Sequence, residues 1–294
     1  MKKLMLFISL MMISCILFSI KSHADLGPKP TADIKVVGID EPYYFDIFIY
    51  YDFLIEPIEG EELDWAIEQY YQDDYPFDLL NGYQDEDGYA SRTLGYNQAA
   101  PAHIIKQVSD DDIYHVGYFS APEVFKIAIL TESGQLILSE VVHRQLFTSS
   151  MTYDLSSVDL SFNQSGVGIV SEHIPYGHMS IALVIRVILT VLVELLILIF
   201  IFKYRLKQSL WLVGFTNAVT QSLLTMGIMA GYYFWGSFFG LIGMLLLGEL
   251  VVFIVEMLIY GIWLKEFNRK KAILYGFIAN LITLILTIFT IPLI

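Results

Sequence analysis

The sequence predicts an integral membrane protein: a β-rich, sandwich-like extracytoplasmic domain followed by an all-α bundle of four transmembrane helices. Three observations predict it. The chain is 55% hydrophobic, too apolar for a soluble globular protein. The excess is confined to residues 1–24 and to everything after Gly177. Charge changes at the same boundary, with 27 Asp and Glu against 6 Lys and Arg from Asp25 to His178, but 8 basic against 4 acidic residues from Met179 onward. The expected units are a signal peptide (1–24), an acidic extracytoplasmic domain (25–177) and a four-helix transmembrane domain (178–294).

Met1-Lys2-Lys3 reads as a positive n-region, Leu4–Ile20 as an apolar h-region, and Ser22-His23-Ala24 as the small-residue cleavage site of a secretory signal. An uncleaved anchor is the alternative, and both deliver Asp25 to the outside. Cys15 is the only cysteine. Apolar Ile16-Leu17-Phe18 follows it, whereas a lipid-modified cysteine should end the apolar stretch. The mature domain then has no disulfide, and its stability must come from a core.

Four later runs, about Met179–Phe202, Leu210–Tyr232, Gly236–Leu264 and Ala272–Ile294, are long enough to cross about 30 Å of hydrocarbon at about 1.5 Å per residue. Lys203, Arg205 and Lys207 join the first to the second, and Lys265, Arg269, Lys270 and Lys271 join the third to the fourth. Tyr233-Phe234-Trp235 joins the second to the third without charge. All these cations fall on one side, which the positive-inside rule assigns to the cytoplasm, and the leader implies the same orientation. Trp211, Trp263, Tyr232, Tyr233 and Trp235 suit interfacial belts.

Between Asp25 and Tyr176, Ile34–Val37, Tyr43–Tyr51, Val124–Leu130, Gln135–Val142 and Leu146–Tyr153 are rich in β-branched and aromatic residues and predict strands. Glu132-Ser133-Gly134 predicts a hairpin turn, and Leu63, Ile67 and Tyr70 or Tyr71 share one face of an expected helix over Glu61–Tyr71. Asp85-Glu86-Asp87-Gly88 resembles part of a calcium loop, with Asp85 and Asp87 as the candidate metal ligands. The full pattern would need an acid at Tyr83 and a Glu at Leu94, so a solvated acidic loop is the alternative. His103, His115, His143 and His173 lack metal-ligand spacing, and no nucleophile signature surrounds them. The acidic surface repels nucleic acid and attracts a cation or a basic extracellular ligand.

Ionisable side chains in hydrocarbon cost several kcal/mol and need a partner or a purpose. The first span carries Arg186 and Glu194, the second Asn217 and Gln221, the third Glu249 and Glu256 on one stripe with Tyr260, and the fourth Asn280. Counting from the expected span starts places Glu194, Asn217, Glu249 and Asn280 in one layer about 20 Å deep, with Glu256 near the inner boundary. These groups either glue the helices by hydrogen bonds, form a proton, cation or ligand site, or meet another membrane subunit. Three Glu face one Arg, so a proton, a cation or a partner must balance them.

The mature start Asp-Leu-Gly-Pro-Lys-Pro, the stretch Phe125–Leu130 leading to Leu155, and Glu194, Asn217, Gln221, Glu249, Glu256 and Asn280 resemble uncharacterised four-span membrane proteins of Gram-positive bacteria. That resemblance implies the signal-bearing, four-span architecture in a bacterial plasma membrane and no particular activity. The function expected is non-enzymatic cell-surface binding, sensing or accessory work. The alternative is a transporter subunit, acting as an oligomer or with a partner, that uses intramembrane glutamates for proton or cation coupling.

Overall fold

A computed structural model describes residues 29–57, 59–60, 77–91, 113–117, 121–236 and 238–290. The leader and the expected helix over Glu61–Tyr71 lie outside the described residues. The first half is β-rich, as expected, and forms two sheets. One has the order β4 (Ile113–Val116), β1 (Thr31–Val37), β8 (Thr148–Asp154), β9 (Ile169–Glu172), with β1 parallel to β8 and the other pairs antiparallel. The other has the order β3 (Tyr89–Ser91), β2 (Tyr43–Tyr50), β5 (Val124–Thr131), β6 (Leu136–Leu138), and β7 (Val142–His143) pairs with the start of β5. The β5–β6 turn is the one expected at Glu132-Ser133-Gly134: Gly134 donates its N–H to the Thr131 carbonyl at 2.9 Å, with φ +85°.

Strand periodicity explains why both sheets share one core. Successive side chains point to opposite faces, so Ala32, Ile34 and Val36 of β1 and Met151 and Tyr153 of β8 meet Phe45 and Ile47 of β2 and Phe125, Ile127 and Ile129 of β5. The intervening residues of the second sheet, Phe48, Ala128 and Leu130, are buried on its other face with Tyr89 and Leu80 of the short helix α1 (Phe77–Leu80). Being buried on both faces is what makes β5 a nearly unbroken apolar run.

Lys126 interrupts that run and is only 2% exposed. Its Nζ donates to Asp85 Oδ2 at 2.6 Å and Asp87 Oδ2 at 2.7 Å and lies 4.9 Å from the Tyr89 ring centroid. Asp85 Oδ1 accepts the Asp87 and Tyr89 N–H groups at 3.0 and 2.8 Å, which shapes the turn. The two carboxylates singled out as candidate calcium ligands thus converge on a cation supplied by the chain itself. Burial works against the charged ammonium, yet the hydrogen bonds to Asp85 and Asp87 prevail and hold the Lys126 pKa above its usual value of 10.5. A raised lysine pKa means the stabilisation is complete below the ordinary lysine value and is lost as pH climbs through the higher value of the fold. Lys126→Met leaves the Asp85 carboxylate buried without its cation and should destabilise the two-sheet domain by about 3–5 kcal/mol in denaturant titration at neutral pH, an effect that shrinks at strongly alkaline pH.

The second half forms four long helices: α2 (Tyr176–Leu196), extended by a π-helical turn over Ile197–Ile201; α3 (Lys207–Tyr233); α4 (Phe238–Trp263); and α5 (Arg269–Thr290). All four are long and apolar enough to cross a membrane, and the chain is a multi-pass membrane protein. Each packs on its sequence neighbours, and α5 closes the ring against α2. Gly248 of α4 lets Leu224 approach closely, since a Cβ there would lie 2.5 Å from Leu224 Cδ1. The first span ends on the π turn: Phe202 N–H donates to the Ile197 carbonyl, Tyr204 N–H to the Leu198 carbonyl, and Lys203 takes φ +63°. At this basic end the two linkers lock together, with Glu266 accepting the Arg205 and Leu206 N–H groups at 2.6 and 3.0 Å and Tyr204 packed edge-on to Phe267.

The two-sheet domain meets the opposite end of the bundle. Arg144 donates to the carbonyls of Pro122, Leu146 and Phe147, and the Glu172 carboxylate accepts from the Gln145 and Leu146 N–H groups and Ser149 Oγ. This knot presents Phe147 to the uncharged α3–α4 linker. Phe147 N–H donates to the Tyr233 carbonyl at 2.9 Å, and its ring fills the space beside Gly236, where φ is +52° and a Cβ would overlap the ring. From β9 the chain enters α2 through His173-Ile174-Pro175 alone.

Candidate functional site

The bundle is apolar outside and polar within. On α2 the buried residues are Ala182, Arg186, Thr190 and Glu194, a single stripe of spacing four, while Ile181, Val184, Ile185, Ile188 and Leu192 are exposed. On α3 the same spacing buries Asn217, Gln221 and Thr225; α4 buries Glu249, Glu256 and Tyr260; α5 buries Tyr275, Asn280, Thr283 and Thr287. All seven residues proposed from the sequence, Arg186, Glu194, Asn217, Gln221, Glu249, Glu256 and Asn280, are at most 5% exposed.

They fall into two layers. The inner layer is built around two carboxyl groups from helices that stand across the ring. Tyr260 Oη lies 3.4 Å from Glu194 Oε2 and 3.3 Å from Glu256 Oε2. Tyr275 Oη lies 3.2 Å from Glu194 Oε2, and Asn280 Nδ2 donates to Glu256 Oε2 and to the Gly276 carbonyl, both at 2.9 Å. Thr220 Oγ1 is hydrogen-bonded to Glu256 Oε1, and Asn217 of α3 lies near Glu194. Both carboxyl oxygens lie within 3.4 Å of one hydroxyl, so two negative charges there are at most about 7 Å apart and repel by about 2 kcal/mol or more even at an effective dielectric constant of about 20, and the pair favours sharing a positive charge.

The outer layer holds Arg186, whose Nε points to Thr225 Oγ1 at 3.4 Å and whose Nη1 points to the Thr287 carbonyl at 3.5 Å. Glu249 is its carboxylate counterpart, near enough for each charge to favour the other. Gln221 lies between the layers on the α3 stripe, one turn from Asn217 and one from Thr225.

This arrangement corrects the depth expected from hydropathy. Glu256, not Glu249, shares a level with Glu194 and Asn280. Glu194 lies 18 residues after Tyr176 and Glu256 18 residues after Phe238, about 27 Å in each case. The apolar runs misplace these helix starts by two or three residues in opposite directions. Sequence reasoning also passed over Tyr275 and Thr220. A tyrosine deep in an apolar span was the available signal, because a buried phenol needs a hydrogen-bond partner. Thr220 carried no signal, since a threonine hydroxyl in a helix can bond its own preceding turn, as Thr220 also does to Thr216.

Compared with family models, curated proteins and solved structures, the chain matches none.

Arg186 counterbalances Glu249 in the outer layer, so Arg186→Leu should cost the bundle about 3 kcal/mol in detergent-titrated unfolding. Arg186→Leu combined with Glu249→Leu should recover most of that loss, because no lone charge is left buried.

Proposed function

We propose that this multi-pass protein is a non-enzymatic binding and sensing, or accessory, protein of a bacterial cell surface. In this reading the two-sheet domain is a sandwich-like extracytoplasmic module, the basic linkers lie in the cytoplasm, and the bundle anchors the module and responds to it. The observation that carries the proposal is the joint: the Arg144–Glu172 knot holds Phe147 against Tyr233 and Gly236. A tethering domain needs only a loose linker. A domain stapled to the α3–α4 linker and continuous with α2 can pass a displacement to both helices. The orientation is supported by the seven linker cations, all at the end away from that domain. The acidic balance of residues 25–178 favours a cation, a basic peptide or a basic wall polymer as ligand. Exposed Tyr50 and Phe53 supply aromatic contact area.

The test uses intact cells in which Cys15 is replaced by Ser. An impermeant thiol reagent should label Ser161→Cys and spare Gln208→Cys. Photo-crosslinking side chains at positions 50 and 53 should then give a recurrent adduct with one polypeptide or wall polymer. Reversed labelling, or adducts with lipid alone, would contradict the proposal.

A further inference from the structure

We propose that Glu194 and Glu256 together hold one exchangeable monovalent cation, a proton or Na⁺, inside the bundle. This does not depend on what the two-sheet domain binds. Tyr260 sets the requirement: one hydroxyl lies 3.4 and 3.3 Å from an oxygen of each carboxyl group. A phenol has a single proton to donate. When it donates to one carboxylate, the other contact is favourable only if that carboxyl is itself protonated and donates to the phenol oxygen, or if a cation lies against both acids.

The surroundings do not supply that positive charge. The groups facing the pair are Asn217 and Thr220 from α3, Tyr260 from α4, and Tyr275 and Asn280 from α5, all uncharged at neutral pH. Arg186 is the one Lys or Arg of the four helices that lies away from their first turns among the described residues, and it belongs to the outer layer with Glu249. The negative charge of the inner layer therefore has no ammonium or guanidinium beside it, unlike Asp85 and Asp87, which share Lys126.

A second observation points to a ligand. Glu194 Oε1, Asn280 Oδ1 and both amide atoms of Gln221 are buried with no hydrogen-bond partner among the described residues. Buried polar atoms are ordinarily satisfied. Carboxylate and amide oxygens are the donor type that hard cations take, and Gln221 stands one helical turn from Asn217, which lies near Glu194. A cluster serving only as glue between helices would pair these atoms with one another.

Proton and Na⁺ occupy such a site by the same chemistry and are separated by competition. The experiment uses the full chain in nanodiscs of zwitterionic lipid, weakly buffered, at constant ionic strength, with choline chloride exchanged for NaCl. If the cation is Na⁺, NaCl should release up to about one proton per chain in a saturable way and raise the melting temperature. Both effects should vanish in Glu194→Gln and Glu256→Gln. If it is a proton, NaCl should do nothing, and each Gln variant should bind about one proton fewer than wild type in a titration carried from strongly alkaline only to neutral pH, where independent carboxylates bind none. No Na⁺ response together with an unchanged proton count would overturn the proposal. Should the Gln variants fail to fold, carboxyl infrared spectra of the wild-type chain decide between the outcomes. A protonated-carboxyl band at neutral pH, or carboxylate bands that shift with NaCl, supports the site. Spectra showing only ionised carboxylates, indifferent to NaCl, overturn it.

Discussion

The contact on which the bundle depends is the Tyr260 hydroxyl held between Glu194 and Glu256. Lipid tails are as apolar as leucine, so apolar surface does not drive membrane helices together as it does soluble ones. Polar groups that cannot find partners in lipid supply the missing specificity. Glu256 touches Thr220 of α3 and Asn280 of α5, and through Tyr260 it reaches Glu194 of α2. One carboxyl group thereby fixes the relative height of all four helices. A slip of one turn on any helix would carry its polar residue about 5 Å out of the layer.

Other features follow from satisfying that layer. The α2 stripe is polar at three of its four buried positions, which leaves its apolar residues to face lipid. Gly248 brings α3 and α4 close enough for short side chains such as Thr220 to bridge them. The π turn after Glu194 adds a residue before the linker, and Tyr204 then folds back, fully buried, to contact Tyr275 of the inner layer. A π turn beside a functional residue is a recurrent association. At the other end, the Phe147–Gly236 contact fixes how the two-sheet domain sits on the helices that carry the layer.

The sequence revealed most where one physical signal dominated. Length and hydropathy located the spans, and runs of β-branched and aromatic residues located β2, β5 and β8. The seven buried polar residues were legible because polar groups inside apolar runs stand out. Their pairing was not, because depth depends on helix starts, and Tyr176–Gly177–His178 looks like linker by hydropathy while already forming the first turn of α2. Lys126 was hidden for a related reason. Its charge falls in an otherwise apolar strand, and its partners Asp85 and Asp87 lie about 40 positions earlier, a pairing that only the fold brings together. The joint was equally illegible, since Gly236 reads as the first residue of the third apolar run until Phe147 is placed beside it.

The most direct measurement is a double-mutant cycle between Glu194→Gln and Glu256→Gln, read as bundle stability in detergent titration of the full chain. Two acids that share one positive charge are not independent, so the cycle should show a coupling of about 1 kcal/mol or more. Effects that add to within about 0.5 kcal/mol would show that each glutamate serves its own neighbours, and would contradict a shared inner layer.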